Sequence, residues 1–286
     1  MVIDVHIHPV MFGAICEDQE RVNFRRRSFG LYKASPIPME HCFAVMDHAG
    51  VDRGVLLAED YSASMGAPIV SNEEIRTLVD LAPDRFIGFA SVDPRKGNAA
   101  DSLRRAFEEL GLSGLKLNLS HLNMYPDDRR LEPLYRLCEG LGKPIMFHTG
   151  FSWEPDSPSK YGRPILYEDV AVAFPKLRLC LAHLSWPWVD EMCMMILKYE
   201  NVFTDTSTVF VDSPANYYDQ IFKRNMGPLW LENNLVDKVM FGSNLPRFRQ
   251  VRVLRGLESL GFRPDVMQKL LGGNAKVFLG LEEKAR

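Results

Sequence analysis

The sequence predicts an α/β protein folded as a single-domain, distorted (β/α)8 barrel over residues 1–286. Short apolar segments rich in β-branched residues alternate eight times with segments of helical length, and such alternation gives parallel strands with right-handed crossovers. The length of 286 residues and the 46% hydrophobic content are typical of one closed barrel. No Gly-x-Gly-x-x-Gly or P-loop sequence follows a predicted strand, which argues against an open nucleotide-binding sheet.

The first predicted strand is residues 2–9, because β-branched residues alternate with Asp and His until Pro9 ends the run. A connection without clear periodicity extends from residue 11 to residue 38, and connections of that length are usually functional in a barrel. The other strands are predicted at 53–58, 85–91, 114–118, 144–148, 178–183, 202–206 and 238–243. Helices are predicted at 39–49, 71–82, 98–110, 129–141, 167–174, 188–199 and 216–233, and from residues 251 and 264. The helix at 71–82 begins with a capping box formed by Ser71 and Glu74.

Composition excludes several classes of partner. A net charge of −3 gives no electrostatic case for nucleic acid or for an anionic membrane surface. The run 25–27 of three arginines is local and typical of a solvated patch. No apolar run approaches the ~18 residues that a membrane span requires. We therefore expect a small-molecule partner rather than nucleic acid or membrane.

Cysteine usage and the start of the sequence predict a cytoplasmic protein. The five cysteines are scattered and form no Cys-x-x-Cys motif, which is typical of free thiols in a reducing compartment. The sequence opens directly on a strand, without a basic and then apolar leader. Trp186, Trp188 and Trp230 leave self-association into a homo-oligomer open, because each could be exposed or buried.

Two histidines of the first strand suggest a metal site. His6 and His8 lie two residues apart and should share one face of the strand, with Ile3, Val5 and Ile7 on the opposite face. Paired imidazoles at the carboxyl end of a strand are typical ligands of a divalent metal. The alternative is a hydrogen-bonded pair of histidines at a strand end.

His148 and His183 end the fifth and sixth predicted strands, at the edge where barrels of this class hold their active sites. His148 would complete a three-imidazole ligand set with His6 and His8, and would leave a position open for water or substrate. His183 would act as general acid or base, because the pKa of a free imidazole lies near neutrality. The alternative is that His183 is a fourth metal ligand.

Other candidates follow from their positions. Lys116 on the fourth strand would neutralise a substrate carboxylate or a developing oxyanion, or it would be an interior lysine paired with an acidic neighbour. Arg247 and Trp153 would shape a pocket for a planar anionic substrate, since arginine binds carboxylates in a bidentate manner. Asp205 on the seventh strand would orient a ligand, or would be solvated or cap a helix. His121 is a weaker candidate for a substrate contact.

Six short motifs together resemble the amidohydrolase superfamily: His-x-His, Gly-Leu-Lys-Leu, Pro-Ile-Met-Phe-His-Thr-Gly, Ala-His-Leu, Phe-Gly-Ser-Asn-x-Pro and Gly-Gly-Asn-Ala-Lys. The resemblance covers residues 6–281 and is closest to the amidohydrolase-2 branch, which includes enzymes like aminocarboxymuconate-semialdehyde decarboxylase and related lactonases. It implies a single zinc ion, with manganese or a metal-free site as alternatives. It assigns the ligand role to His6, His8 and His148 and the catalytic role to His183.

Asn244 departs from this resemblance, because the family has Asp at that catalytic position as ligand and proton acceptor. An amide oxygen can coordinate a metal, but it is neutral and cannot accept a proton as a carboxylate does. Asn244 would mark a subgroup with altered chemistry or no metal, an engineered substitution, or a member that binds its ligand without turnover.

The leading expectation is a metal-dependent hydrolase of a small carboxylated substrate, such as a lactone, an amide or an aromatic acid. A metal-dependent decarboxylase of the same branch and a catalytically impaired ligand-binding barrel are the alternatives.

Overall fold

The computed structural model describes residues 1–207 and 212–281, and its eight strands form one parallel sheet in the order β1 to β8. The strands are β1 Ile3–Ile7, β2 Arg53–Leu57, β3 Phe86–Ala90, β4 Gly114–Leu117, β5 Ile145–Phe147, β6 Leu179–Leu181, β7 Val202–Asp205 and β8 Val239–Met240. The two outer strands meet, because the backbone N–H of Val5 donates to the carbonyl of Phe241 at 2.9 Å. The N–H of His8 likewise donates to the carbonyl of Leu245 at 2.7 Å. The predicted (β/α)8 barrel is confirmed.

Helices connect the strands and surround the barrel. They are α1 Gln19–Ser28, α2 Met39–His48, α3 Ser62–Met65, α4 Asn72–Leu81, α5 Ala99–Glu108, α6 Leu119–Leu122, α7 Glu132–Gly140, α8 Glu168–Ala173, α9 Val189–Lys198, α10 Pro214–Asp219, α11 Trp230–Asn234, α12 Gln250–Glu258, α13 Pro264–Gln268 and α14 Asn274–Leu279. Over the described ranges, no helix combines the length and the apolar character needed to cross a membrane. Location in the cytoplasm and self-association stay predictions.

The helix predicted at 216–233 is interrupted. α10 continues into a π-helical turn, Gln220–Asn225, and α11 begins only at Trp230. Gly227 lies between them with φ of 94°, and Pro228 follows it. Glycine adopts this left-handed conformation without steric cost and proline cannot continue a helix, so the two residues separate the segments.

Apolar side chains form two clusters, one inside the barrel and one between the barrel and its helices. The inner cluster consists of Ile3, Val5, Val55, Leu57, Ile87, Phe89, Met146, Cys180, Ala182, Phe203 and Met240 together with Ala275, Phe278 and Leu279 of α14. α14 lies at the end where the strands begin, since Arg178, just before β6, donates to the carbonyl of Val277 at 3.2 Å. The opposite end of the barrel, where the strands end, is therefore available for a functional site. All five cysteines are buried free thiols, as predicted.

β1 departs from simple alternation. His6 and Val5 are adjacent, yet both face the barrel interior. The register of β1 against β2 shifts within Asp4–Ile7, and such a bulge re-aims side chains next to functional sites. The prediction that Ile3, Val5 and Ile7 form one face opposite the histidines is wrong, because only Ile7 belongs to the outer cluster.

The connection after β1 contains a helix that the sequence did not predict. α1 begins after Asp18, whose carboxylate accepts hydrogen bonds from the backbone N–H groups of Glu20 and Arg21, and N-capping of this kind starts helices. The buried face of α1 is formed by Val22 and Arg25. An arginine on the buried face gives no apolar periodicity, which is why the pattern was missed.

Arg25 is fully buried and anchors α1, so the expectation of a solvated arginine run is wrong at this position. Its guanidinium donates to the carbonyls of Ile15 at 2.6 Å and Ile69 at 3.0 Å. It also donates to Glu74 at 2.5 Å, and Glu74 forms the predicted capping box with Ser71. Through Arg25 the end of α1 is fixed beside the mouth of the barrel.

Candidate active site

The structure brings four histidines together at the carboxyl end of the barrel. His6 Nε2 lies 3.1 Å from His8 Nε2, and His183 Nε2 lies 2.9 Å from His148 Nδ1. The two pairs are neighbours, since the ring centres of His6 and His183 are 4.7 Å apart. Residues that are 140 or more positions apart in the chain therefore surround one point.

An unusual backbone conformation turns His183 into the barrel. Cys180 and Ala182 belong to the inner cluster, so a continued strand would direct His183 outward. Instead His183, Leu184 and Ser185 have φ of 66°, 48° and 49°. This left-handed region is costly for residues other than glycine, and such conformations concentrate at functional sites.

Two carboxylates determine which nitrogens of His6 and His8 carry a proton. His6 Nδ1 lies 2.9 Å from Asp205 Oδ2, and His8 Nδ1 lies 2.8 Å from Glu59 Oε1. An ionised carboxylate only accepts hydrogen bonds, so Nδ1 is the protonated nitrogen of His6. At His8 the 2.8 Å approach of Glu59 does not have hydrogen-bond geometry, and we assign the proton to Nδ1 because the negative charge of Glu59 lies beside that nitrogen. Burial lowers the pKa of both histidines, which keeps the rings neutral. The two Nε2 atoms are therefore bare, and they face each other.

Backbone carbonyls determine which nitrogens of His148 and His183 carry a proton. His148 Nε2 donates to the carbonyl of Phe151 at 3.1 Å, and His183 Nδ1 donates to that of Ser207 at 3.2 Å. Burial lowers the pKa of His148 to about 3 and that of His183 well below its usual value. His148 Nδ1 and His183 Nε2 are therefore bare as well, and they too face each other.

Four bare nitrogens in two facing pairs fit a divalent metal ion. Two lone pairs at this distance repel each other unless a cation or a shared proton lies between them, and the neutral rings have no such proton. Nitrogen ligands bound to a metal at about 2.0–2.1 Å lie about 3 Å apart, as these pairs do. Among the described residues, the group whose potential ligand atoms all lie within 4.8 Å of one another consists of His6, His183 and Asp205, and it includes neither His8 nor His148.

The carboxylate of Asp205 contacts one histidine of each pair, His6 and His183. It is fully buried, so the alternative of a solvated residue is wrong. Besides His6 Nδ1, its carboxylate accepts hydrogen bonds from the backbone N–H groups of His183 at 2.9 Å and Ser207 at 3.0 Å, and from the Ser207 hydroxyl. Carboxylates that hold the far nitrogen of a ligand histidine orient the ring and raise its basicity.

Glu59 plays the corresponding part for His8 and was not among the predicted site residues. It lies two residues beyond β2 and is only 6% exposed. The hydroxyl of Tyr61 also donates to it, at 3.5 Å. An acidic residue directly after a buried strand, at the edge of the barrel that holds the site, is the signal that could have identified it.

Asn244 lies at the same edge, four residues beyond β8. Its φ is 63°, a conformation that Asn and Asp tolerate better than other side chains. Its backbone N–H donates to the carbonyl of His6 at 3.0 Å. The carboxylates nearest to the histidines are thus Asp205 and Glu59, which contact the protonated side of the rings.

A narrow pocket lies above the histidines, and the three predicted substrate-binding residues, Lys116, Arg247 and Trp153, all line it. His148, His183 and Asn244 line it too. The space open to the centre of a water molecule is only about 40 Å³.

Lys116 is 2% exposed, and within residues 1–207 and 212–281 its ammonium has no hydrogen-bond partner. Burial lowers its pKa, while the charges of Asp205 and Glu59 oppose that effect from a distance. The alternative of a lysine directly paired with an acidic neighbour is therefore wrong. A buried ammonium without a partner is costly, and a substrate anion would satisfy it.

The chain is similar in sequence and in fold to several known proteins. A family model described as amidohydrolase matches residues 3–281. A 2-amino-3-carboxymuconate-6-semialdehyde decarboxylase from Dictyostelium discoideum is 27% identical over 74% of this chain and 66% of its own length, just under two thirds. A solved TIM-barrel protein from Bordetella bronchiseptica is 25% identical, with a TM-score of 0.74 over 98% of each chain. The 5-carboxyvanillate decarboxylase of Sphingomonas paucimobilis, at 19% identity and a TM-score of 0.64 over 98% of each chain, shares the fold.

Proposed function

This chain belongs to the amidohydrolase family of enzymes, and we propose that it is a metal-dependent decarboxylase of a small carboxylated substrate. The observation that carries the proposal is the set of four bare imidazole nitrogens that face each other beneath a pocket containing an unpartnered lysine. Zinc is the first candidate for the ion, because imidazole nitrogens suit it, and manganese is the second, because the family resemblance implies it.

We assign the ion to three of the four facing nitrogens, those of His6, His8 and His148, and we assign proton transfer to His183 Nε2, which faces His148 Nδ1. A bound divalent ion would supply Lewis-acid stabilisation of negative charge on substrate oxygens. Asp205 and Glu59 keep the rings of His6 and His8 in the tautomer whose Nε2 is bare. These contacts support the assignment of His6 and His8 as ligands.

Two side chains would act on the substrate directly. The Lys116 ammonium binds the substrate carboxylate or the negative charge that develops as carbon dioxide leaves. His183 Nε2, which is bare and borders the pocket, takes up a proton from water or from a substrate hydroxyl. It then returns that proton to the carbon that loses its carboxylate.

The carboxylates around the site are not available as the base that hydrolysis needs, which leaves His183 for that role. Hydrolysis needs a group that accepts a proton from the attacking water, and the amide of Asn244 cannot do so. In the described part of the chain, the carboxylates beside the histidines or the pocket are all engaged: Asp205, Glu59 and Glu154 each contact a histidine. The similarity to a protein named as a decarboxylase supports decarboxylation.

Hydrolysis of a lactone or an amide is the second candidate, because His183 Nε2 could take up the proton of the water. A panel of carboxylated aromatic acids, lactones and amides, assayed for carbon dioxide release and for ring or amide opening, separates the two reactions. We expect carbon dioxide release that Lys116→Met abolishes and that Lys143→Met preserves. Lys143 is a matched control, because it donates to the carbonyl of Leu112 and does not border the pocket. Ring or amide opening without carbon dioxide would instead support hydrolysis, and ligand binding without turnover would support a non-catalytic barrel.

A further inference from the structure

The carboxylate of Glu154 lines the pocket and lies between the basic side chains of His121 and Arg247. Glu154 Oε2 is 3.4 Å from His121 Nε2, and Glu154 Oε1 is 3.4 Å from Arg247 Nη2. All three residues line the pocket above the histidines. An internal carboxylate thus occupies a position at which a substrate anion would meet two positive charges.

The contacts between Glu154 and the two basic side chains shift the pKa values of Glu154 and His121 toward their charged forms. Burial would raise the pKa of Glu154, but the hydrogen bond from His121 and the charge of Arg247 lower it to about 2. Burial would lower the pKa of His121, but the hydrogen bond to Glu154 and its charge raise it above the usual value. If Glu154 left, Arg247 would remain at the top of the pocket without an anion, and His121 would need another anion beside it to keep its pKa raised.

Both basic side chains also contact aromatic rings, in addition to Glu154. The guanidinium of Arg247 lies 4.3 Å from the ring centre of Phe29, within the range of a cation–π contact. Phe29 follows α1, the helix that the buried arginine anchors. The ring of His121 stacks on that of Tyr61, with 4.5 Å between their centres. The pair is therefore preorganised to bind a carboxylate.

The segment that carries Glu154 lies at the outer part of the pocket. Its neighbour Trp153 is 58% exposed, whereas Lys116, which also lines the pocket, is 2% exposed and unpartnered among the described residues. Only about 40 Å³ is open to the centre of a water molecule, which is far too little for an aromatic acid. Lining side chains must therefore move when such a substrate binds, and Glu154 is the one that a substrate anion would replace.

We propose that His121 and Arg247 form a second carboxylate subsite, that Glu154 occupies this subsite until substrate arrives, and that the substrate is a dicarboxylate. One carboxylate binds near Lys116, and the other displaces Glu154 from His121 and Arg247. The inference rests on the proposed function only for the reaction at the first carboxylate. The subsite itself rests on contacts that involve no metal.

The test is calorimetric binding of isophthalate and of 3-carbamoylbenzoate, in which an amide replaces one carboxylate, to the metal-loaded protein. Glu154→Gln removes the internal competitor, so isophthalate should bind about tenfold more tightly than to the wild type. The affinity for 3-carbamoylbenzoate should change less than about twofold, because it has no second carboxylate to compete for the subsite. Arg247→Met should reduce the affinity for isophthalate to that for 3-carbamoylbenzoate.

Asp156→Asn is the matched control, because Asp156 lies on the same segment, is exposed, and acts on His121 only through its charge. We expect it to leave isophthalate binding unchanged. An equal gain in Asp156→Asn would reveal a general charge effect and overturn the proposal. A failure of Glu154→Gln to bind isophthalate more tightly would overturn it as well. Carbon dioxide release is measured on the same preparations, so tighter isophthalate binding without decarboxylation would contradict only the proposed reaction.

Discussion

Replacing Asp205 by Asn tests how a buried carboxylate controls the tautomer of a proposed metal ligand. Oδ1 of Asp205 accepts hydrogen bonds from the backbone N–H groups of His183 and Ser207, while Oδ2 faces His6 Nδ1. An asparagine would keep its oxygen on the backbone donors and present its NH2 group to His6. His6 Nδ1 would then have to accept a hydrogen bond from that NH2 group. The ring proton would therefore move to Nε2, which faces His8.

The expected loss of metal affinity follows from this exchange. Removing the carboxylate behind a ligand histidine costs about 10–100-fold in metal affinity, which corresponds to about 1.4–2.7 kcal/mol. The asparagine still satisfies the buried backbone donors, so we expect the free energy of unfolding without metal to change by less than about 1 kcal/mol. Asp205→Asn should therefore lower metal affinity while leaving the free energy of unfolding nearly unchanged.

The assay is competition for zinc between the protein and a chelating dye, with urea unfolding of the metal-free protein in parallel. Asp93→Asn is the control, because Asp93 is also buried but binds Arg95 and the backbone N–H of Ala63, outside the site. We expect this control to lose about 1–3 kcal/mol of stability and to keep its zinc affinity. Wild-type zinc affinity in Asp205→Asn, or an equal loss in Asp93→Asn, would refute the reasoning.

Three further substitutions test other parts of the structure. Asn244→Asp should raise zinc affinity on the order of tenfold, because it adds an anionic oxygen beside four neutral rings; unchanged zinc affinity would count against an ion near Asn244. Lys116→Met should raise the free energy of unfolding by about 1–3 kcal/mol while abolishing turnover, because it removes a buried ammonium whose partner is the substrate; a loss of stability measured by urea unfolding would show that Lys116 has a structural role. Arg25→Met should lower the free energy of unfolding by about 3 kcal/mol or more, because Glu74 and two carbonyls lose their donor; a loss below about 1 kcal/mol would contradict the anchoring of α1.

The barrel and the meeting of the four histidines could be inferred from the sequence because they depend on local patterns. Each strand is a short apolar run, and the carboxyl ends of parallel strands gather at one edge. His148 and His183 follow such ends, so topology places them at the edge that holds His6 and His8, whereas the left-handed turn that directs His183 inward could not be inferred.

The features that were missed depend on tertiary contacts. α1 shows no apolar periodicity because its buried face includes Arg25, whose partners lie up to 49 residues away. The bulge in β1 places Val5 and His6 on the same side, which alternation cannot show. Glu59 and Glu154 lie in connections, where no period distinguishes a site residue from a solvated one.

The most direct test of the central claim is a count of metal ions per chain. The protein, incubated with zinc or manganese and freed of excess metal by gel filtration, is analysed for its elemental content. The facing bare nitrogens predict one divalent ion per chain, and His148→Phe, which removes one of the four, should retain much less. A wild-type protein that retains no metal after this treatment would contradict the account.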